Sequence, residues 1–485
     1  MTCTISRRSF VSRSAAAAGG LILSTGREPP VIAEGESSGP PFVTCRKSKK
    51  LVGVYSNPDE VQNHPEYLDA LQKKLGCNLI ILSAGGVNYP EEIRRLAPYP
   101  PEANTWIGIP FSEDDGAINR CAEIVHSRRM DMWIIGSGHY DRGLDDSLSP
   151  VDFNGVLLRS HTAPKYAIEA GTELCFQRPK IVRWQQKAYP WICRNYDIDA
   201  LYLTHHRYNT PSIYRRLWGC ACEDCRRAAS RLGYDFDIMR SAMLKFDAGL
   251  RSLTKDRVRR MAELGYTFTD FIQTLSDGPD ILDWLEFRAA AFTDTFGAVN
   301  RSIRSSTNGR CKFIIDTLNP TFMLLAGHDF KSFVGTASDA FYPMAWVDYH
   351  YISVVASWAN FLVETVDGLD EGTALQAVYT LVGWDDIGLP AERIADLYIG
   401  ATNKEHSIPE FYKGFGKHVN GLMTHEYRHG ALMNVRNYPS YQTVFPHFWG
   451  REITEPLMDE IMSAGHDGYI FEISPEPFVM RPKKG

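Results

Sequence analysis

Short apolar runs rich in β-formers alternate with amphipathic helical stretches along most of this chain, and few folds accommodate that alternation. Leu51-Val52-Gly53-Val54-Tyr55 reads as a first strand, and Asn78-Leu79-Ile80-Ile81-Leu82 as a second, with a helix predicted from Glu66 to Leu75 between them. A helix over Asp114–Arg128 leads to a third strand, Asp131–Gly136, and one over Pro179–Arg194 feeds a fourth, Ala200–Thr204. Lys312–Asp316, Ala340–Met344, Leu375–Leu381 and Gly468–Glu472 read as the fifth to eighth. Strands that recur between helices predict a parallel sheet, so the expected fold class is α/β, a (β/α)8 barrel. Little chain follows the eighth strand, and its outer helix is expected to be missing or supplied by another segment. From about 226 to 306 the pattern is largely helical, far longer than a crossover, which predicts a helical insertion after the fourth strand, over the barrel mouth.

The leader points outward. Ser6-Arg7-Arg8-Ser9-Phe10-Val11, followed by Ala- and Gly-rich residues up to Leu23, resembles a twin-arginine signal. A Gly/Ser/Pro-rich linker runs from Gly35 to Pro41. The expected organisation is a signal peptide and linker over 1–38 and one barrel domain over 49–485. The resemblance implies the twin-arginine translocase as a partner and a periplasmic or secreted destination. No later run is long or apolar enough for a stable membrane span. A net charge of −6 gives no basic footprint for nucleic acid.

Chemistry concentrates between Asp199 and Cys225, DALYLTHHRYNTPSIYRRLWGCACEDC. The fourth strand delivers His205, His206, Arg207 and Tyr208 to the end where barrels build their sites. Cys220-Ala221-Cys222-Glu223-Asp224-Cys225 follows, a spacing that cross-links almost no chain as disulfides but lets three thiolates converge on one ion. Cys175 precedes the helix that feeds the fourth strand. With Cys220, Cys222 and Cys225 it would complete a closed four-cysteine site of structural zinc type. Free buried thiols, or a disulfide to Cys175, are the alternatives.

This arrangement resembles that of the family 42 β-galactosidases and related TIM-barrel glycoside hydrolases, which carry a Cys ahead of the fourth strand and a C-x-C-x-x-C cluster just beyond it. The resemblance implies structural Zn2+ clamping loops beside the active site. A second resemblance, to bacterial TIM-barrel proteins labelled hypothetical glycosyl hydrolases, rests on five motifs. They are Ile198–Leu203 with Arg207-Tyr208, Asp316-Thr317-Leu318-Asn319-Pro320, Gly327-His328-Asp329-Phe330, Asp339–Met344 and Ala464–Glu472. It implies an exported enzyme that cleaves a glycosidic bond in a carbohydrate substrate.

One departure is serious. Barrel glycosidases of the β-galactosidase type place an Asn-Glu pair after the fourth strand, where this chain has His205-His206. Glycoside cleavage normally needs two carboxyl groups flanking the bond. Asp316 and Glu472 are the best-placed strand-end carboxylates, with Asp141, Asp348, Asp385 and Asp386 in reserve. The expected catalytic set is Asp316, Glu472 and His206. His139, His205, Arg207 and Tyr208 are expected to orient substrate, and Tyr342, Trp346 and Trp384 to offer stacking walls. The missing acid/base keeps a non-catalytic carbohydrate-binding barrel in view. A third reading, of another class, is a zinc metalloprotease using the H-E-x-x-H at His425–His429. Against it, Arg428 sets a cation beside the ligands, Gly430 weakens the helix, and no Met-turn follows.

Overall fold

The computed structural model describes residues 50–482, apart from 84–85, 100–108, 114, 137, 139, 142, 162–171, 210–213, 277, 347–351 and 398–407. Seven parallel strands form one sheet in the order β5-β4-β3-β2-β1-β7-β6. They are β1 (Leu51–Ser56), β2 (Leu79–Leu82), β3 (Asp131–Gly136), β4 (Ala200–Leu203), β5 (Lys312–Ile315), β6 (Tyr441–Val444) and β7 (Gly468–Phe471). In register, Val54 pairs with Ile80 on one side and Phe471 on the other. The stretch 339–344 bonds to both outer strands. Asp339 N–H donates to Phe313 O, Thr317 N–H to Tyr342 O, and Tyr441 N–H to Phe341 O.

Side-chain alternation divides the strands into two faces. One set, Leu79, Ile81, Trp133, Ala200, Tyr202, Ile314, Ala340, Tyr342, Tyr441 and Ile470, packs together as an interior core. The Trp133 ring on β3 lies 5.9 Å from the Tyr441 ring on β6, so the sheet curls until distant strands touch. Gly53 belongs to this crowded interior. A Cβ there would come within 2.9 Å of Leu79 and 3.0 Å of Ile470.

The opposite face carries the helices. They are α1 (Pro65–Leu75), α2 (Gly116–Ser127), α3 (Pro179–Asn195), α4 (Glu223–Arg231), α5 (Phe236–Arg251), α6 (Lys255–Glu263), α7 (Phe268–Leu275) and α8 (Asp280–Thr307). After them come α9 (Ser357–Thr365), α10 (Glu371–Val382), α11 (Ile408–Met433) and α12 (Arg451–Ala464). α1 shows why: Pro65 opens it, Tyr67, Leu68 and Leu71 form one buried stripe, and Gly76 closes it in the left-handed conformation. α8 packs against α3 and leads into β5, α5 packs against α8 and α7, and α6 and α7 meet α10. An apolar cavity of about 50 Å³ lies between them, lined by Trp218, Phe246, Phe271, Trp358 and Val378 among others.

Two strand expectations change. Ala340–Met344 pairs only through isolated bridges at Phe341 and Pro343, and Leu375–Leu381 lies within α10. Asp370 caps that helix by accepting the Thr373 N–H, and Gly383 ends it at φ 76°, so a seven-residue apolar run becomes helix. The strand that neighbours β7 is instead Tyr441–Val444, whose Gln442 and Thr443 hid it. Among the described residues, no helix is long and apolar enough to cross a membrane.

Candidate active site

β5 and β7 each hand a carboxylate to their C-terminal end, the end where parallel barrels place chemistry. Asp316 directly follows β5 and is wholly buried. It accepts hydrogen bonds from Tyr202 Oη at 2.9 Å and from the His205 N–H at 3.2 Å. Tyr202 in turn accepts from Tyr55 Oη at 3.0 Å, so a short relay of hydroxyls runs from β1 through β4 to Asp316. Burial pushes the Asp316 carboxyl up to about 6, while the Arg207 guanidinium pulls the other way.

Glu472 directly follows β7. It is buried, and its Oε2 has no hydrogen-bond partner. Burial and then the negative charge of Asp316 push its carboxyl up to about 8, again opposed by Arg207. The two groups therefore share one interior electrostatic centre with Arg207. Of the two carboxyls, Glu472 is the one held protonated to the higher pH. A carboxyl that holds its proton near neutrality is equipped to donate it.

The two adjacent histidines part company. His205 sits at φ 61° with its Nδ1 2.8 Å from Thr204 Oγ1, and its ring faces Tyr140. Gly138 makes room for it. A Cβ on Gly138 would meet His205 Cβ at 2.9 Å and Glu173 Oε1 at 3.0 Å. His206 turns toward the helices instead, packed against Phe176 and Phe296. Its Nε2 lies 3.1 Å from Tyr189 Oη and its Nδ1 3.1 Å from Thr204 O. Burial drives its pKa down to about 3. A neutral imidazole walled in by aromatics cannot serve as the expected acid.

Other expectations also give way. Tyr208 is buried under the Arg288 guanidinium and edge-on to Phe176, with Gly327 tight against its ring. It packs within the interior. Trp384 is wholly buried against Phe322, so it offers no stacking wall. Tyr342 is interior, 5.3 Å from the Tyr202 ring. Trp346 is partly exposed and stacks on Phe445 at 4.7 Å. Asp141 is spent in an ion pair with Arg159 at 3.0 Å. His139, Asp348 and the leader lie outside the described residues.

Tyr55, Tyr202 and Glu173 had escaped the sequence reading. Period-two alternation could have found the first two, since Tyr202 lies on the same face of β4 as Ala200. Nothing in the sequence places Glu173 beside the end of β4.

Near Tyr208, whose hydroxyl feels their charge, Cys175, Cys220, Cys222 and Cys225 converge, all buried, with their sulfurs within 4.8 Å of one another. Three separations are 3.7 Å (Cys175–Cys222), 3.5 Å (Cys175–Cys225) and 3.7 Å (Cys222–Cys225). Those are too long for disulfides. Sulfurs bound tetrahedrally at about 2.3 Å from an ion would stand roughly 3.8 Å apart, so the donor set fits a four-coordinate metal. The other three thiols pull the Cys222 pKa well below its ordinary value.

The H-E-x-x-H residues lie on α11. Glu426 is fully buried and accepts from Asn319 Nδ2 at 3.1 Å and the Thr321 N–H at 3.1 Å, with the Thr321 hydroxyl on its other oxygen. It anchors the loop after β5, so it is not free to activate a water.

No protein-family description matches this sequence, and no curated protein does. Solved structures similar to the chain are glycoside hydrolases. The catalytic domain of the β-amylase from Paenibacillus polymyxa is 9% identical, with a TM-score of 0.41 over 87% of this chain and 92% of that one. A β-glucosidase, 1317, is 11% identical with a TM-score of 0.34, over 86% and 78% of the two chains. The α-L-fucosidase isoenzyme 2 from Paenibacillus thiaminolyticus is 11% identical with a TM-score of 0.33, over 87% and 64%.

Proposed function

We propose that this protein is an exported glycoside hydrolase-like enzyme in which Glu472 and Asp316 divide the chemistry. The observation that carries this reading is the pair itself: two strand-end carboxyls in one centre, their pKa values about 8 and about 6. Glu472 would protonate the departing glycosidic oxygen as the bond breaks. Asp316, charged and oriented by Tyr202, would meet the positive charge that develops at the anomeric carbon, and a water would then add to that carbon, giving its proton back to the Glu472 carboxylate. Arg207 would hold the excess negative charge in check. The fold for it would be a (β/α)8 barrel in which 340–344 supplies the sixth stave between β5 and β6. His205, Glu173 and Trp346 would border the substrate, with Glu173 as the reserve acid near β4.

The purified protein should be screened against aryl glycosides and polysaccharides. Hydrolysis abolished in Asp316→Asn and Glu472→Gln supports the reading, and hydrolysis unaffected by both overturns it. The depth at which both carboxyls lie favours a second reading, carbohydrate binding without cleavage. Glycan binding with no turnover would establish that one. The four thiols would hold Zn2+ as a structural ion, since a closed thiolate set leaves no open position for catalysis. Replacing Arg7 and Arg8 by Lys should retain the protein in the cytoplasm if the twin-arginine route carries it.

A further inference from the structure

His425, Glu426 and His429 offer one donor atom each within 4.8 Å of one another, well away in sequence from the thiols. The helix α11 brings the two imidazoles to neighbouring turns, with ring centres 5.9 Å apart. His425 Nε2 stands 3.9 Å from Glu426 Oε1. His429 Nδ1 is buried and has no hydrogen-bond partner, which is costly for a polar atom unless something binds there. His425 remains substantially exposed, so an ion could enter from solvent and keep water in its remaining positions.

We propose that His425, His429 and Glu426 form a second metal site, for a borderline divalent transition ion such as zinc, nickel or cobalt. Two imidazoles and a carboxylate suit such ions, whereas calcium and magnesium prefer all-oxygen sets. The role of Glu426 here differs from that in an H-E-x-x-H protease. Its carboxylate is already fixed by Asn319 and Thr321, so it contributes a pre-oriented oxygen to the ion and ties it to the loop after β5. The metal would clamp α11 to the loop that follows Asp316. This inference stands apart from the glycosidase reading.

Cobalt separates the two metal sites by colour, because thiolate ligation gives an intense ligand-to-metal band that nitrogen and oxygen donors lack. The metal-stripped full-length protein should take up two equivalents of Co2+, one with that band and one without. The His425→Ala/His429→Ala variant should lose the second equivalent and keep the thiolate band. Added Co2+ or Ni2+ should raise the melting temperature of the Cys175→Ser protein by a few degrees and leave that of the Cys175→Ser/His425→Ala/His429→Ala protein unmoved. His425→Ala alone, at an exposed position, should weaken the second equivalent at least tenfold and guards against misfolding of the double variant. Equal stoichiometry in wild type and the histidine variants would overturn the site, as would a wild type that binds only what its thiols hold.

Discussion

The carboxyl centre and the thiol cluster are equally buried, yet they stand on opposite sides of the stability balance. Asp316 and Glu472 are acids moved out of water, each with its pKa raised by burial first. Keeping them there costs folding energy. The four thiols sit at separations that suit one ion, and a metal bound there adds to folding energy directly. A region that costs stability without supporting the fold is expected to exist for chemistry. A region that supplies stability and lies closed to solvent is expected to hold the frame.

The largest effect should come from severing chemistry from stability. Asp316→Asn and Glu472→Gln should each lower turnover on any glycoside substrate by about 10³-fold or more, with circular dichroism unchanged and melting temperature equal or higher. Loss of fold in both variants would erase the contrast. Next in size, Cys175→Ser should release the metal and destabilise the protein by roughly 2–5 kcal/mol, read as a lower denaturant midpoint and an empty metal analysis. Retained metal, or an unchanged midpoint, would make the thiols mere core residues.

A third effect follows from pH. The folded carboxyl of Glu472 titrates near 8 against an ordinary 4.5, and Asp316 near 6 against 3.8. Their stabilising contribution is therefore complete below the ordinary values and is lost as pH rises through the folded ones. Stability should fall by a few kcal/mol between about pH 4.5 and 8, and Glu472→Gln should flatten that slope. Activity should be bell-shaped, needing Asp316 ionised above about 6 and Glu472 protonated below about 8. The smallest effect belongs to Tyr202→Phe. It removes one hydrogen bond to Asp316, worth about 1–3 kcal/mol as a charge-assisted contact, and should reduce turnover roughly tenfold or somewhat more.

Sequence periodicity exposed most of the sheet because a parallel strand buried on both faces is a continuous apolar run. It failed where polar residues find partners far away. Gln442 lies 3.1 Å from the His466 ring and Thr443 accepts the Ala345 N–H, contacts that no local pattern contains. The cysteine spacing was legible because four thiols need little context to signal a shared ion. The histidines were not. His205 and His206 are identical neighbours, and the left-handed backbone at His205 sends them to different environments. Burial likewise turned Tyr208 and Trp384 from binding surfaces into packing.

β1 and β7 are neighbours: Leu51 pairs with Gly468, and Gly53 with Ile470. β1 thus receives one of its two partners only after the other described strands have been made. Until then one edge of β1 offers open amide and carbonyl groups, a template for mispairing between nascent chains. Contacts of such high sequence separation also slow the search for the native state. Closure of this edge therefore waits for synthesis of β7, and the interval before it is when the chain most needs protection from its own edges.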